Sequence, residues 1–147
     1  MFRVILPYNE GMNVLLSLTP KNLMGYLTNE MTVRQAVEKI REQGFSMLPV
    51  IDRETGVYIR SVRANDLLDY IVSERLSFQE LEEHPLAAVA SSWEIKPISA
   101  NADIASLFDV LVTQNYAPVV DSRGIFIGIV TRSAALQVLK ESGRLKE

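Results

Sequence analysis

The feature that most constrains this chain is that it repeats itself. Thr32 to Ile40 places Val33, Ala36, Val37 and Ile40 at i, i+3, i+4 and i+7, and Asp103 to Leu111 sets Ile104, Leu107, Phe108 and Leu111 at the same spacing. That period lines one face of a helix with apolar side chains. Thr32 and Gln35 have the spacing of a capping box, and Asp103 supplies an acceptor for free first-turn amides. Each helix is expected to stop where a residue tolerant of the left-handed conformation precedes an aromatic, at Gly44-Phe45 and at Asn115-Tyr116.

A short, nearly continuous apolar run follows in both copies, Met47 to Asp52 and Ala117 to Asp121, as in a strand buried on both faces. The polar turns Arg53-Glu54-Thr55-Gly56 and Ser122-Arg123-Gly124 have hairpin chemistry and lead into second strands, Val57 to Val62 and Ile125 to Val130. A closing helix runs from Asp66 with Leu67, Leu68, Ile71 and Val72, and its counterpart from Ala134 with Ala135, Leu136, Val138 and Leu139. With Tyr26 to Thr28 and Ile95 to Ser99 as opening strands, each copy reads strand, helix, strand, strand, helix, an α/β (α+β) class. The divisions are an N-terminal extension at 1–22, a first copy at 23–73, a linker at 74–93, a second copy at 94–141 and a tail at 142–147. Phe78, Leu81 and Leu86, set among Glu80, Glu82 and Glu83, give the linker some helical content. The extension matches nothing in the repeat and is expected to pack across the module or against a partner chain.

Composition removes several alternatives. A net charge of -3 supplies no basic field for nucleic acid. The chain has no cysteine, hence no disulfide, thiolate zinc site or cysteine nucleophile. The opening Met1 to Pro7 is too short, and too soon broken by proline, for a signal peptide or a membrane span, so a cytoplasmic protein is expected. No Gly-x-Ser-x-Gly elbow, phosphate-binding loop or dinucleotide fingerprint occurs, and His84 is the lone histidine, expected to be exposed and inert beside Pro85. Catalysis and a metal centre are therefore not expected. The Glu80, Glu82, Glu83 run is expected to be a solvated face, and Trp93 a packing residue at the start of the second copy.

The duplicated pattern of helix, Pro-Val strand ending in Asp, glycine turn, and Gly128-Ile129-Val130-Thr131 opening the last helix resembles a paired cystathionine-β-synthase (CBS) domain protein, or Bateman module, over residues 23 to 141. The resemblance implies two copies packed about a pseudo-twofold axis, enclosing two clefts. It also implies an adenosine-containing ligand such as AMP, ADP, ATP, S-adenosylmethionine or cyclic di-AMP, and pairing into homodimers. Carried onto this chain, it implies ligand-site positions at Tyr116, Ala117, Pro118, Ile98, Thr131 and Arg132 from the second copy. From the first copy the corresponding positions are Leu27, Thr28, Leu48, Arg63 and Asp66.

The chemistry of the motif can be argued separately. A threonine hydroxyl at a strand end, beside the free amides of the next helix, suits an anionic phosphate, and an adjacent arginine adds a forked cation. An aspartate three residues after that threonine position suits the two hydroxyls of a ribose. The copies divide these parts. Arg60 and Arg63 stand in the first copy where the pattern has glycine and threonine, but Asp66 keeps the carboxylate. The second copy keeps Thr131 and has Ala134 at the carboxylate position. Against these roles stand plainer ones, in which Thr131 and Asp66 cap helices and Arg63 and Arg132 are solvated or ion-paired. The expected function is a regulatory module that senses an adenine nucleotide and signals to a protein partner. The alternative is a ligand-free dimerisation scaffold with decayed clefts.

Overall fold

In the computed structural model of the chain, residues 3–4, 14–143 and 145–146 are described. Residues 5–13 of the N-terminal extension, and residues 1–2, 144 and 147, lie outside the described set. The strands are β1 (Arg3–Val4), β2 (Thr19–Pro20), β3 (Leu27–Thr28), β4 (Met47–Ile51), β5 (Tyr58–Arg63), β6 (Ile98–Ser99), β7 (Tyr116–Val120), β8 (Phe126–Thr131) and β9 (Leu145–Lys146). The helices are α1 (Val33–Gln43), α2 (Ala64–Ser73), α3 (Ile104–Thr113) and α4 (Arg132–Glu141). They form two compact units, Lys21–Ile95 and Met1–Pro20 with Lys96–Glu147.

In the first unit β3 runs parallel to β4, and β4 runs antiparallel to β5. The second repeats this with β6, β7 and β8, then adds β2 along the free edge of β8. The registers align the copies residue by residue. Leu48 faces Val62 as Ala117 faces Val130, so Arg60 matches Gly128, Arg63 matches Thr131, Ala64 matches Arg132 and Asp66 matches Ala134. The edge strand β2 explains the glycine: Pro20 pairs with Gly128, and a Cβ there would run into the Thr19 carbonyl oxygen.

Each core is completed by chain outside the repeated elements. Leu27, Val33, Ala36, Ile40, Leu48, Val62 and Leu67 pack with Leu81, Leu86 and Val89, which come from the expected linker. Leu107, Leu111, Ala117, Val119, Val130 and Ala135 pack with Val14 from the N-terminal extension. Burying one such side chain contributes about 1.5–3 kcal/mol relative to exposing it, so these segments hold to their units through apolar area. The linker's helical content amounts to two 3-10 turns, Gln79–Glu82 and Leu86–Ala88. The expectation for His84 is corrected. It is half-buried, with Nδ1 2.7 Å from the Tyr70 hydroxyl, and its carbonyl accepts from Val33 N at 2.8 Å. The cause is the pinning of this stretch against the start of α1, where Leu86 N donates to Met31 O and Pro85 bridges Thr32.

The helix starts follow the sequence. Thr32 and Gln35 form the reciprocal capping box, and Asp103 Oδ1 accepts from Ser106 N at 2.8 Å. The helix ends do not. Gly44 closes α1 in the left-handed conformation, φ 72, but α3 ends on Gln114 in extended backbone, φ -128, and Asn115 is not left-handed. Gln43 and Gln114 are the true equivalents: each side-chain oxygen accepts a backbone N–H from 18 residues upstream, Gly25 at 2.9 Å and Lys96 at 2.7 Å. Ser46 and Asn115 are equivalent too, accepting from Ala64 N at 2.8 Å and Arg132 N at 2.9 Å. Gly44-Phe45 is thus an insertion peculiar to the first copy. In the second, Arg132 donates to the end of α3 instead, Nε to Leu111 O at 2.8 Å and Nη2 to Gln114 O at 3.1 Å. Alanine at the matching position 64 cannot do this, and there the glycine ends the helix.

Candidate functional site

In the second copy the strand-to-helix junction gathers most of the expected residues. Thr131 ends β8 opposite Tyr116, the first residue of β7, and Ala117 and Pro118 follow along that strand, all three buried. Thr131 Oγ1 accepts from Ala134 N at 3.1 Å and lies 3.4 Å from Ser133 Oγ, so it is a helix cap that shares a hydroxyl contact with Ser133. Arg132, exposed to solvent, is held by two carbonyls through Nε and Nη2, and Nη1 has no partner among the described residues. The result is a fixed cation carried by the first residue of α4, with its guanidinium at the end of α3. Ile98 pairs with Val119, farther along β7 than the Thr131 end. It is buried, as is Ala117, so both can offer only backbone groups.

In the first copy Leu27 and Leu48 lie in the core, and Thr28 borders an open depression of about 470 Å³ with Tyr26, Glu30, Met31, Gln35 and Arg53. Asp66 is buried in the first turn of α2. Its Oδ2 accepts from Arg63 N at 2.9 Å, and its Oδ1 accepts from Ser92 Oγ at 2.7 Å and Ser92 N at 3.2 Å. Burial alone would push this carboxyl up. The Ser92 hydroxyl, the Arg63 and Ser92 amides and the Arg63 charge outweigh it and hold Asp66 below the ordinary range.

Arg63 reaches the same place. Its Nη2 bonds to Ser92 Oγ and lies 3.9 Å from Asp66 Oδ1, while its guanidinium covers the Trp93 ring at 5.6 Å from the centroid. Its Nε is buried without a hydrogen-bond partner. Trp93 therefore packs on a first-copy arginine, which corrects the expectation that it belongs to the start of the second copy; half of it stays exposed. Arg60, where the pattern has glycine, turns to the same segment: Nη1 donates to Val89 O at 2.6 Å and Ser91 Oγ at 2.9 Å, and Nη2 to Leu86 O at 3.1 Å. Burial lowers the Arg60 pKa, with Asp66 opposing. Ser91 and Ser92 carry no periodicity or motif, and sequence reasoning missed them; the signal was a serine pair next to the single tryptophan. Glu80, Glu82 and Glu83 are exposed, with Glu82 paired to Arg34. Among the described residues no group of three His, Asp or Glu side chains gathers for a metal, and no helix is long and apolar enough to cross a membrane.

The CBS domain family model matches residues 21–73 and again residues 88–141. This chain belongs to the CBS domain family. It is a paired CBS module, and solved structures share its fold. CbpB in complex with c-di-AMP matches at a TM-score of 0.78 and 21% identity, over 88% of this chain and 85% of that one. CbpB from Listeria monocytogenes matches at 0.73 and 24%, over 86% and 98%. A Methanocaldococcus jannaschii protein described as a putative archaeal homologue of γ-AMPK matches at 0.75 and 17%, over 89% and 51%. No curated protein matches the sequence. Each CBS copy thus supplies a strand-to-helix junction of the same backbone geometry but different side-chain chemistry.

Proposed function

We propose that this CBS pair is a regulatory module that binds an adenine nucleotide, AMP, ADP, ATP or cyclic di-AMP, and alters what a protein partner meets. The observation that carries this is Arg132: it opens α4 next to Thr131, and two carbonyls at the end of α3 fix its guanidinium, with Nη1 unpaired among the described residues. A preorganised guanidinium fork with a free donor is a phosphate receptor that loses little freedom on binding, and the Thr131 hydroxyl and the α4 first turn are further donors at the same junction. The fold likeness to CbpB, solved with c-di-AMP, supports the ligand class. The first copy contributes Asp66 for a ribose and Arg63 for a second anion. Signalling then requires that the ligand favour one arrangement of the chain over another, since equal affinity shifts nothing. Within this reading the module works without catalysis, in the cytoplasm and as a homodimer. Exposed Leu68 and Val72, one turn apart on α2, supply apolar area for pairing.

Calorimetric titration with AMP, ADP, ATP, S-adenosylmethionine and cyclic di-AMP tests it. Binding of at least one, abolished in a folded Arg132→Ala protein, is the expected result, and the absence of heat and thermal shift for all of them refutes it. A specific observation favours the second reading, a ligand-free scaffold: Thr131, Arg132 and Asp66 each already have an intramolecular partner. The same titration decides between them.

A further inference from the structure

The carboxylate of Asp66 is the most enclosed polar group of the first-copy site. Three donors already address it: the Ser92 hydroxyl and amide on Oδ1 and the Arg63 amide on Oδ2. A ribose would bring two hydroxyl donors to the same carboxylate. Ser92 thus supplies a hydroxyl and an N–H where the ligand would supply its diol, and next to it Trp93 lays a flat aromatic ring under the Arg63 guanidinium. We infer that Ser92 and Trp93 are a built-in occupant of the Arg63 and Asp66 site, a latch that an adenosine ligand must displace. This rests on the nucleotide-sensing reading and adds a competitor inside the chain.

The surroundings fit a latch that lifts locally. On one side Val89 is buried, and Ser91 donates to Ser61 O at 3.1 Å while accepting from Arg60. On the other, Ile95 is buried and its carbonyl accepts from the Tyr58 hydroxyl at 3.2 Å. Between these anchors Ser92, Trp93 and Glu94 are exposed. Three residues can therefore swing away while their flanks stay in place. The latched state is also incompletely bonded, since Arg63 Nε is buried without a partner, and an anionic ligand could satisfy it. Apparent affinity is then the intrinsic affinity reduced by the fraction of molecules with the latch open.

Trp93 is the only tryptophan, so its emission reports on the latch alone. The experiment titrates the full chain and its Ser92→Ala variant with AMP, ATP and cyclic di-AMP, following heat and Trp93 fluorescence together. Release of the latch red-shifts Trp93 emission as ligand binds. Removing the Ser92 hydroxyl, which bonds to a charged group, tightens binding about three- to tenfold. Binding that leaves Trp93 emission unmoved, or that is no tighter in Ser92→Ala, overturns the latch and leaves the sensor reading intact. No heat with either protein overturns both.

Discussion

Arg132 donates from Nε to the carbonyl oxygen of Leu111 at 2.8 Å, so the first residue of α4 caps the last turn of α3. This arginine therefore carries structure whether or not a ligand meets it. Arg132→Ala is expected to lower stability by about 1–2 kcal/mol, a value for two charge-assisted bonds reduced for solvent exposure. Urea unfolding monitored by circular dichroism checks it, and an unchanged midpoint rules the cap out. Any ligand titration with this variant has to be run well below its own melting temperature.

Gln114 is buried, and its amide nitrogen donates to Lys96 O at 3.1 Å and Tyr116 O at 3.0 Å while its oxygen accepts from Lys96 N. Its counterpart Gln43 is half-buried and makes the one bond to Gly25 N. Gln114→Ala removes three hydrogen bonds to the backbone and should cost about 2–4 kcal/mol, against about 1 kcal/mol for Gln43→Ala. Equal losses would show that the two glutamines do not differ in the way their bonding indicates.

Gly128→Ala places a Cβ against the Thr19 carbonyl oxygen, where backbone and not a flexible side chain is in the way. The edge strand β2 must move off β8, at a cost of about 2 kcal/mol or more. Hydrogen exchange reads it directly: amides of residues 19 and 129 should lose protection, while those of β4 and β5 keep theirs.

Asp66 gives the latch an acid limit. Its folded pKa lies below the 3.8 of a free aspartate, so its contribution to stability is fully present above that value and disappears as pH falls through the lower, folded one. Trp93 emission should hold steady from neutral pH down to about 4 and then shift. In Asp66→Asn that acid step should be missing. A step of the same size in the variant would assign it to another group.

Much of the fold was legible because its signals are local. Val33, Ala36, Val37 and Ile40 mark a helix by spacing alone, Thr32 and Asp103 mark its start, and Pro49-Val50 and Pro118-Val119 mark buried strands. The ends of α1 and α3 were not legible in the same way. A glycine announces its cap at its own position, whereas the cap supplied by Arg132 comes from 18 to 21 residues away and looks like an ordinary charged side chain. Thr131, Arg132, Arg63 and Asp66 could be picked out because they sit at fixed offsets from a strand end. Ser92 was invisible because it acts through one hydroxyl and one amide on a residue 26 positions upstream, and nothing in Ser91-Ser92-Trp93 shows what the segment lies against.

The strands β1 and β9 pair antiparallel, with Arg3 opposite Lys146 and Val4 opposite Leu145, so the two ends of the described chain meet within one unit. Within this unit the chain closes on itself by contact. Linking Lys146 to Arg3 and opening the chain between Pro20 and Lys21 would give a circular permutant in which 21–95 and then 96–146 with 3–20 each form one uninterrupted segment. Val89 and Val14 would then trail their own repeats in the same sense, and the order of the gene would follow the order of the cores.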